Sequence, residues 1–288
     1  MDPLNWRGCE SPVPLLGQVA IITGAAKGIG RALAIRYAQA GADVVIADID
    51  SAGLPVTAAM IEGIGRQARQ IVADVRLEHD IDAIVDLALA SFDRVDIVAN
   101  NAGINAPGGF LGVSRQDIRS VFDTDLIGPF FLSQRCAREM IPRKIEGRFV
   151  CISSIHSVVP AYCPHYSAAK IGLEQLVIDM ALELAPYGIR ANCIRPGGIA
   201  IRGRTEVGSP DVSNPHIPFE GRSGLPSEVA ELALFLSTDA SRYITGTTVT
   251  IDGALSRMTY SALARRNTLA REQDQLGFAP IIPEPILK

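Results

Sequence analysis

A chain of 288 residues that is 48% hydrophobic and 20% charged holds enough apolar material for one large core and lacks the composition of a disordered chain. Its net charge of −4 argues against nucleic acid or an anionic membrane surface as a partner, and no apolar run reaches the length of a membrane span. The five cysteines contain no Cys-x-x-Cys pair, which favours reduced thiols in a cytoplasmic protein and gives no support to a metal site.

Residues 1–16 have no basic start followed by an apolar stretch, so they are expected to form a loose arm rather than a secretory signal. Val19-Ala20-Ile21-Ile22 then predicts a short buried strand, running straight into Gly24, Gly28 and Gly30. The helical spacing of Ile29, Leu33, Ala34 and Tyr37 follows at once. Strand, glycine turn and helix in that order make an anion site. Glycine lets the backbone turn tightly and approach a phosphate, and the helix N-terminus offers unpaired N–H groups. The next strand, over 43–47, ends in Asp48 with Ile49 beside it, and an acidic residue about 20 positions on is the ribose-diol partner of a dinucleotide fold. The carboxylate accepts from both ribose hydroxyls and repels a 2′-phosphate, which favours NAD over NADP. Lys27 in the turn pulls the other way, because it could pair with that phosphate.

Further strands are expected over 69–72, 97–99, 149–152, 190–194 and 248–251. Helices are expected over 30–40, 52–63, 79–91, 114–142, 166–185 and 227–236. The alternation predicts one α/β domain, a doubly wound parallel sheet of seven strands with helices on both faces. Ligands gather at the carboxyl ends of such strands, where Gly24, Asp48, Asp74, Asn101, Ser154 and Pro196 fall. Residues 202–225 carry many prolines and glycines and are expected to form a substrate lid. After the last strand, 255–288 forms a C-terminal extension, helical over 255–276, with an apolar tail over 278–283 that packs on its own subunit or reaches a neighbour.

Tyr166 and Lys170, four apart, share one face of a helix. A free tyrosine is a poor base at neutral pH, and a nearby ammonium favours its phenolate. Ser154 precedes Tyr166 by 12 residues at a strand end, where its hydroxyl could steady a carbonyl or alcohol oxygen while Tyr166 moves the proton. Each feature alone is a common accident of helix surfaces and turns. Downstream of a dinucleotide loop, the combination is specific.

With these residues in view, the chain resembles the short-chain dehydrogenase/reductase family over about 16–254. The matches are Thr23-Gly24-Ala25-Ala26-Lys27-Gly28-Ile29-Gly30, Asp74-Val75, Asn100-Asn101-Ala102-Gly103, Ser154, Tyr166 with Lys170, Asn192 ahead of Pro196-Gly197, and Asp252-Gly253. The resemblance implies a Rossmann-type seven-stranded sheet and hydride exchange between NAD(P) and an alcohol or ketone. It implies Tyr166 as acid/base, Ser154 as the group orienting substrate oxygen, and Lys170 as the group that tunes Tyr166 and binds ribose. Asp74 and Val75 would flank adenine, Asn101, Ala102 and Gly103 would line the cofactor, and Pro196, Gly197 and Ile199 would hold the nicotinamide. Two positions depart from the pattern. Asp125 stands where the family usually has asparagine, either as a proton-relay candidate whose charge would partly cancel that of Lys170 or as a tolerated structural swap, and Ile201 stands where a threonine is usual.

Residues 154–160, with His165-Tyr166, resemble the glucose 1-dehydrogenase branch, so a sugar or polyol is the expected substrate. Cys163, His165 and His156 are candidates to edge the cleft or simply to pack, and Arg202, Arg204 and Arg222 to meet an acidic substrate or simply to be solvated. A 3-oxoacyl-(acyl carrier protein) reductase is the nearest rival, opposed by Ile145 and Tyr187 where such enzymes carry a basic pair. A non-catalytic dinucleotide-binding subunit is the rival from another class, opposed by the intact Ser154, Tyr166 and Lys170. The family resemblance also implies a homodimer or homotetramer paired through the helices of 114–142 and 166–185.

Overall fold

The alternating faces of the first strand set the architecture. In the computed structural model, which describes residues 13–201, 214, 216–259 and 262, strand β1 (Val19–Thr23) is buried along its whole length. Ala20 and Ile22 enter one apolar layer with Leu33, Tyr37, Val44 and Ile46, while Val19 and Ile21 enter the opposite layer with Val45, Ile84, Leu132 and Phe149. Successive side chains of a strand point to opposite faces, so a strand apolar at every position must be covered twice. Each large aliphatic side chain buried in this way contributes about 1.5–3 kcal/mol.

The covering is done by α1 (Gly28–Gln39), α2 (Gly53–Gly63) and α7 (Pro226–Ser237) on one side. On the other lie α3 (Glu78–Phe92), α5 (Gly128–Met140) and α6 (Pro164–Leu184). Between the layers run β1, β2 (Asp43–Asp48), β3 (Ala68–Val72), β4 (Ile97–Asn100), β5 (Arg148–Ile152), β6 (Arg190–Pro196) and β7 (Thr248–Ile251). The seven strands are parallel, in the order β3-β2-β1-β4-β5-β6-β7. The order reverses between β1 and β4, and the crevice beyond their carboxyl ends is where a doubly wound sheet binds its ligand. Among the described residues, no helix is long and apolar enough to cross a membrane.

One element departs from the sequence expectation. The helix expected over 114–142 is divided into α4 (Arg115–Phe122), a π-helical turn (Asp123–Ile127) and α5. Pro129 supplies the reason: it has no N–H for the carbonyl four residues back, and its ring crowds that carbonyl. The chain widens, and the Gly128 N–H bonds instead to the Asp123 carbonyl. The wide turn packs against α6 and leaves Asp125 fully buried.

Of the segment expected to be a loose arm, residues 13–16 are described. Leu15 there is fully buried, its N–H bonded to the Ala40 carbonyl at 2.8 Å. Most of the expected lid, including Arg202 and Arg204, and most of the expected C-terminal helix and its tail lie outside the described residues; at the start of that helix Leu255–Arg257 form a single 3-10 turn.

Candidate active site

The glycine loop closes on itself tightly. Gly24 and Gly28 take positive φ values of 65° and 57°, conformations glycine adopts without strain. A Cβ at Gly30 would sit 2.1 Å from the Gly24 carbonyl oxygen. The loop is braced from β4: Asn101 Nδ2 donates to the carbonyls of Thr23 (2.9 Å) and Gly24 (3.1 Å). Thr23 Oγ1 accepts in turn from the Asn101 and Ala102 amides, both at 3.1 Å. The Asn101 side chain is thus spent on shaping the loop.

A cleft of about 330 Å³ opens beside this loop and brings together Gly24, Lys27, Asp48, Ile49, Asp74, Val75, Asn101, Ala102 and Gly103 from four separate strand ends. Asp48 accepts from the amides of Ala26 and Asp50, each at 2.9 Å, while Lys27 pairs with Asp50 at 3.6 Å. Asp74 is gripped by Arg76, whose Nε lies 2.9 Å from both carboxylate oxygens, and this hydrogen bonding holds the Asp74 carboxyl below its ordinary range. Ile29 and Gly30 begin α1 behind the loop.

Ser154 follows β5, its Oγ accepting from the His156 amide at 3.2 Å. Tyr166 and Lys170 lie on α6, with the Lys170 Nζ 5.6 Å from the Tyr166 ring centre. Lys170 is buried, donates to the Ile152 carbonyl at 3.0 Å and forms an ion pair with Asp125 Oδ2 at 3.0 Å. Asp125 Oδ1 accepts from the Ile104 amide at 2.8 Å. Burial alone would lower the Lys170 pKa, but the Asp125 carboxylate, with Tyr166 adding to it, holds the ammonium above the ordinary lysine value. Burial pushes the Asp125 carboxyl up, with Lys170 and the Ile104 amide pulling against it. Gly103 lies over this pair, and a Cβ there would be 3.2 Å from both Asp125 Oδ2 and Lys170 Nζ.

Pro196 ends β6, and the turn after it is fixed by Gly197 N–H to the Ile251 carbonyl (2.9 Å) and by reciprocal backbone bonds with Gly224. Ile199 and Gly198 line a second hollow of about 150 Å³ with Ile217 and Phe219. Ile201 sits over the glycine loop, its Cγ2 3.1 Å from where a Gly28 Cβ would be. His156 meets Tyr166 edge-to-face at 6.4 Å, whereas His165 is buried and its Nε2–H lies between Asn105 Oδ1 and the Ala106 carbonyl, both at 3.2 Å. Cys163 is buried, and Arg222 is taken up by Glu228 and Glu220. Motif reading passed over two buried or half-buried charges beside the site, Glu174 and Arg195, which pair across 21 residues. Nothing in the local spacing signals them, because they lie on separate elements, Glu174 on α6 and Arg195 on β6.

A family model described as enoyl-(acyl carrier protein) reductase matches residues 24–256, most of the chain. The chain belongs to the short-chain dehydrogenase/reductase family. As a member it is an NAD(P)-dependent oxidoreductase of CH–OH groups. It is 35% identical over 254 residues to 3β-hydroxysteroid dehydrogenase 1 of Eggerthella lenta, covering 84% of this chain and 95% of that one. It is 33% identical over 248 residues to glucose 1-dehydrogenase 2 of Bacillus subtilis, covering 84% and 96%. The crystal structure of acetoin dehydrogenase from Enterobacter cloacae superposes with a TM-score of 0.81 at 33% identity, covering 85% and 98%.

Proposed function

We propose that this member of the family oxidises a small secondary alcohol of the sugar or polyol kind, or reduces the corresponding ketone, with NAD as cofactor and Tyr166 as the acid/base. One observation carries the reading: a buried ammonium, Lys170, is pinned beside the Tyr166 ring by Asp125 and the Ile152 carbonyl. A charge held there favours the phenolate form of a tyrosine during proton transfer.

The cleft fits a dinucleotide. A Cβ at Gly30 would fill the turn that exposes the N–H groups of α1, and those groups suit a diphosphate. Asp48, oriented by two backbone amides, suits a ribose diol and opposes a 2′-phosphate, and Lys27 is already paired with Asp50, which together favour NAD. Asp74 and Val75 suit the adenine end. Asn101, Ala102 and Gly103 line the middle, and Pro196, Gly197 and Ile199 suit the nicotinamide end. When bound, the nicotinamide supplies a hydride acceptor for alcohol oxidation and a hydride donor for the reverse. Ser154 Oγ steadies the substrate oxygen, Tyr166 takes the hydroxyl proton from that oxygen, and Lys170 steadies the phenolate and binds the ribose. Asp125 sets the net charge behind them.

Exposed residues on the loop after β4 and near the start of α6 favour a second substrate reading. Phe110, Leu111 and Tyr162 are 83%, 97% and 95% exposed, an apolar rim suited to a fused-ring alcohol such as that named for the Eggerthella relative. The exposed apolar side chains of Phe130, Ile178 and Leu182 on α5 and α6 support pairing of subunits through these helices, and the four cysteines among the described residues, all free and buried, support a cytoplasmic setting. The test is NAD reduction at saturating cofactor across sugars, polyols, hydroxy acids and 3β-hydroxysteroids. On the best of these, Tyr166→Phe lowers kcat by about 10²- to 10⁴-fold with NADH binding retained. Near-native turnover by that variant defeats the mechanism.

A further inference from the structure

Glu174, further along α6 than Tyr166 and Lys170, has a side chain only 6% exposed. Its Oε1 is the meeting point of three donors: Ser153 Oγ at 2.6 Å, Ser157 Oγ at 2.7 Å and Arg195 Nε at 3.0 Å. Its Oε2 pairs with Nη2 of the same arginine. Arg195 also donates to Ser157 Oγ at 3.0 Å and to Thr250 Oγ1 on β7 at 3.2 Å. Ser153 and Ser157 bracket Ser154, and the Ser157 amide closes the turn onto the Ser154 carbonyl at 3.0 Å. Arg195 immediately precedes Pro196, where the turn toward the second hollow begins. One carboxylate therefore ties together the strand end that presents Ser154, the strand end that presents Pro196, and the helix that carries Tyr166 and Lys170.

Stability alone is a poor reason for this arrangement. Removing two charges from water costs about as much as their attraction returns, and apolar side chains of the same volume would serve packing equally well. Its yield is geometric, because Arg195 meets four acceptor atoms from α6, β7 and the Ser154 turn with a planar, rigid fork that no apolar side chain supplies. We propose that the Glu174–Arg195 pair is the positioning clasp that holds Ser154 and the Pro196–Ile199 turn in register with Tyr166. The proposal rests on the roles given above to Ser154 and Tyr166. Neither Glu174 nor Arg195 touches the reacting atoms. They act through their neighbours, and displacement of a positioned group by about 1 Å is enough to cost about 10²-fold in rate.

The test uses the full-length protein and the near-isosteric Glu174→Gln, with Arg195→Lys as a second variant that keeps the charge but cannot serve all of the partners. Hydrogen exchange is read at the Ser157 and Gly197 amides, whose acceptors are the Ser154 and Ile251 carbonyls. Both should exchange about tenfold faster together, while the Val44 amide of the core sheet stays unchanged. On the best alcohol of the panel above, kcat should fall by about 10- to 10²-fold with KM changed much less. In Glu174→Gln/Arg195→Gln, which restores neutrality, Tm should recover and kcat should not. The clasp is overturned if the two turns loosen independently or not at all, or if kcat recovers with Tm. If the wild-type protein oxidises none of the alcohols, the functional reading falls, and the exchange experiment decides the clasp without it.

Discussion

Replacing Asp125 with asparagine removes one buried negative charge while keeping the shape and the acceptor that holds the Ile104 amide. Asp125 Oδ2 lies 3.0 Å from Lys170 Nζ, which is in turn 5.6 Å from the Tyr166 ring centre. The carboxylate therefore acts on that ring from a separation of at most roughly 9 Å. At an effective dielectric near 20, a unit charge at that distance is worth about 1.8 kcal/mol, a little over one unit of pH. The sign follows from electrostatics: a carboxylate opposes formation of a phenolate, and its removal leaves the ammonium unopposed. In Asp125→Asn the pH profile of kcat/KM should thus move down by about one unit, with the plateau within a few-fold of wild type. Alkaline unfolding should also begin at lower pH. Lys170, held above its ordinary value in the native protein, contributes stability that is complete below the unfolded lysine value and lost as pH rises through the native one. Profiles measured from pH 5 to 11 with parallel thermal melts decide the matter. An unmoved profile would mean that the carboxyl carries its proton beside Lys170, and a collapse of NADH binding would give Asp125 a different role altogether.

Other expectations follow from the cleft. Gly30→Ala places a methyl 2.1 Å from the Gly24 carbonyl and 2.5 Å from Asn101 Nδ2, so the loop must open. The cost is about 1–3 kcal/mol, and NADH affinity falls at least in proportion, as read by melting and fluorescence titration. Unaltered binding would mean that the turn does not hold the diphosphate. Asp48→Ser removes the charge that opposes a 2′-phosphate and should raise the NADP-to-NAD ratio of kcat/KM by about tenfold, a shift of about 1.4 kcal/mol. An unchanged ratio would locate cofactor choice elsewhere.

The parts of the site legible in the sequence are those set by local spacing. The run from Val19 to Gly30 announces strand, turn and helix within one short stretch, and Tyr166 with Lys170 needs only the helical period. The departure at Asp125 was legible as chemistry but not as geometry. A regular helix read across 114–142 ignores Pro129, and the widened turn that buries Asp125 against α6 depends on that proline. Asn101 reads as a residue lining the cofactor cleft, where the structure places it, but the bracing of the loop by its amide nitrogen is set by how β1 and β4 lie side by side and is not legible in the sequence. Glu174 and Arg195 stayed hidden for the same reason: on separate elements, they meet only once α6 has packed across β5 and β6. Leu15 reads as part of a loose arm because nothing nearby in the chain reveals that it joins the apolar layer of α1 and bonds to the Ala40 carbonyl.

The wide turn before Pro129 has an implication for how such an enzyme is retuned over generations. It places residue 125 behind Lys170, fastened to a backbone amide that a carboxamide would satisfy as well as a carboxylate does. Exchange of one for the other alters the ionic balance while leaving every bond-making group where it was. A lineage moving between acidic and alkaline habitats thus has a dial for its working range that is separate from the machinery it adjusts.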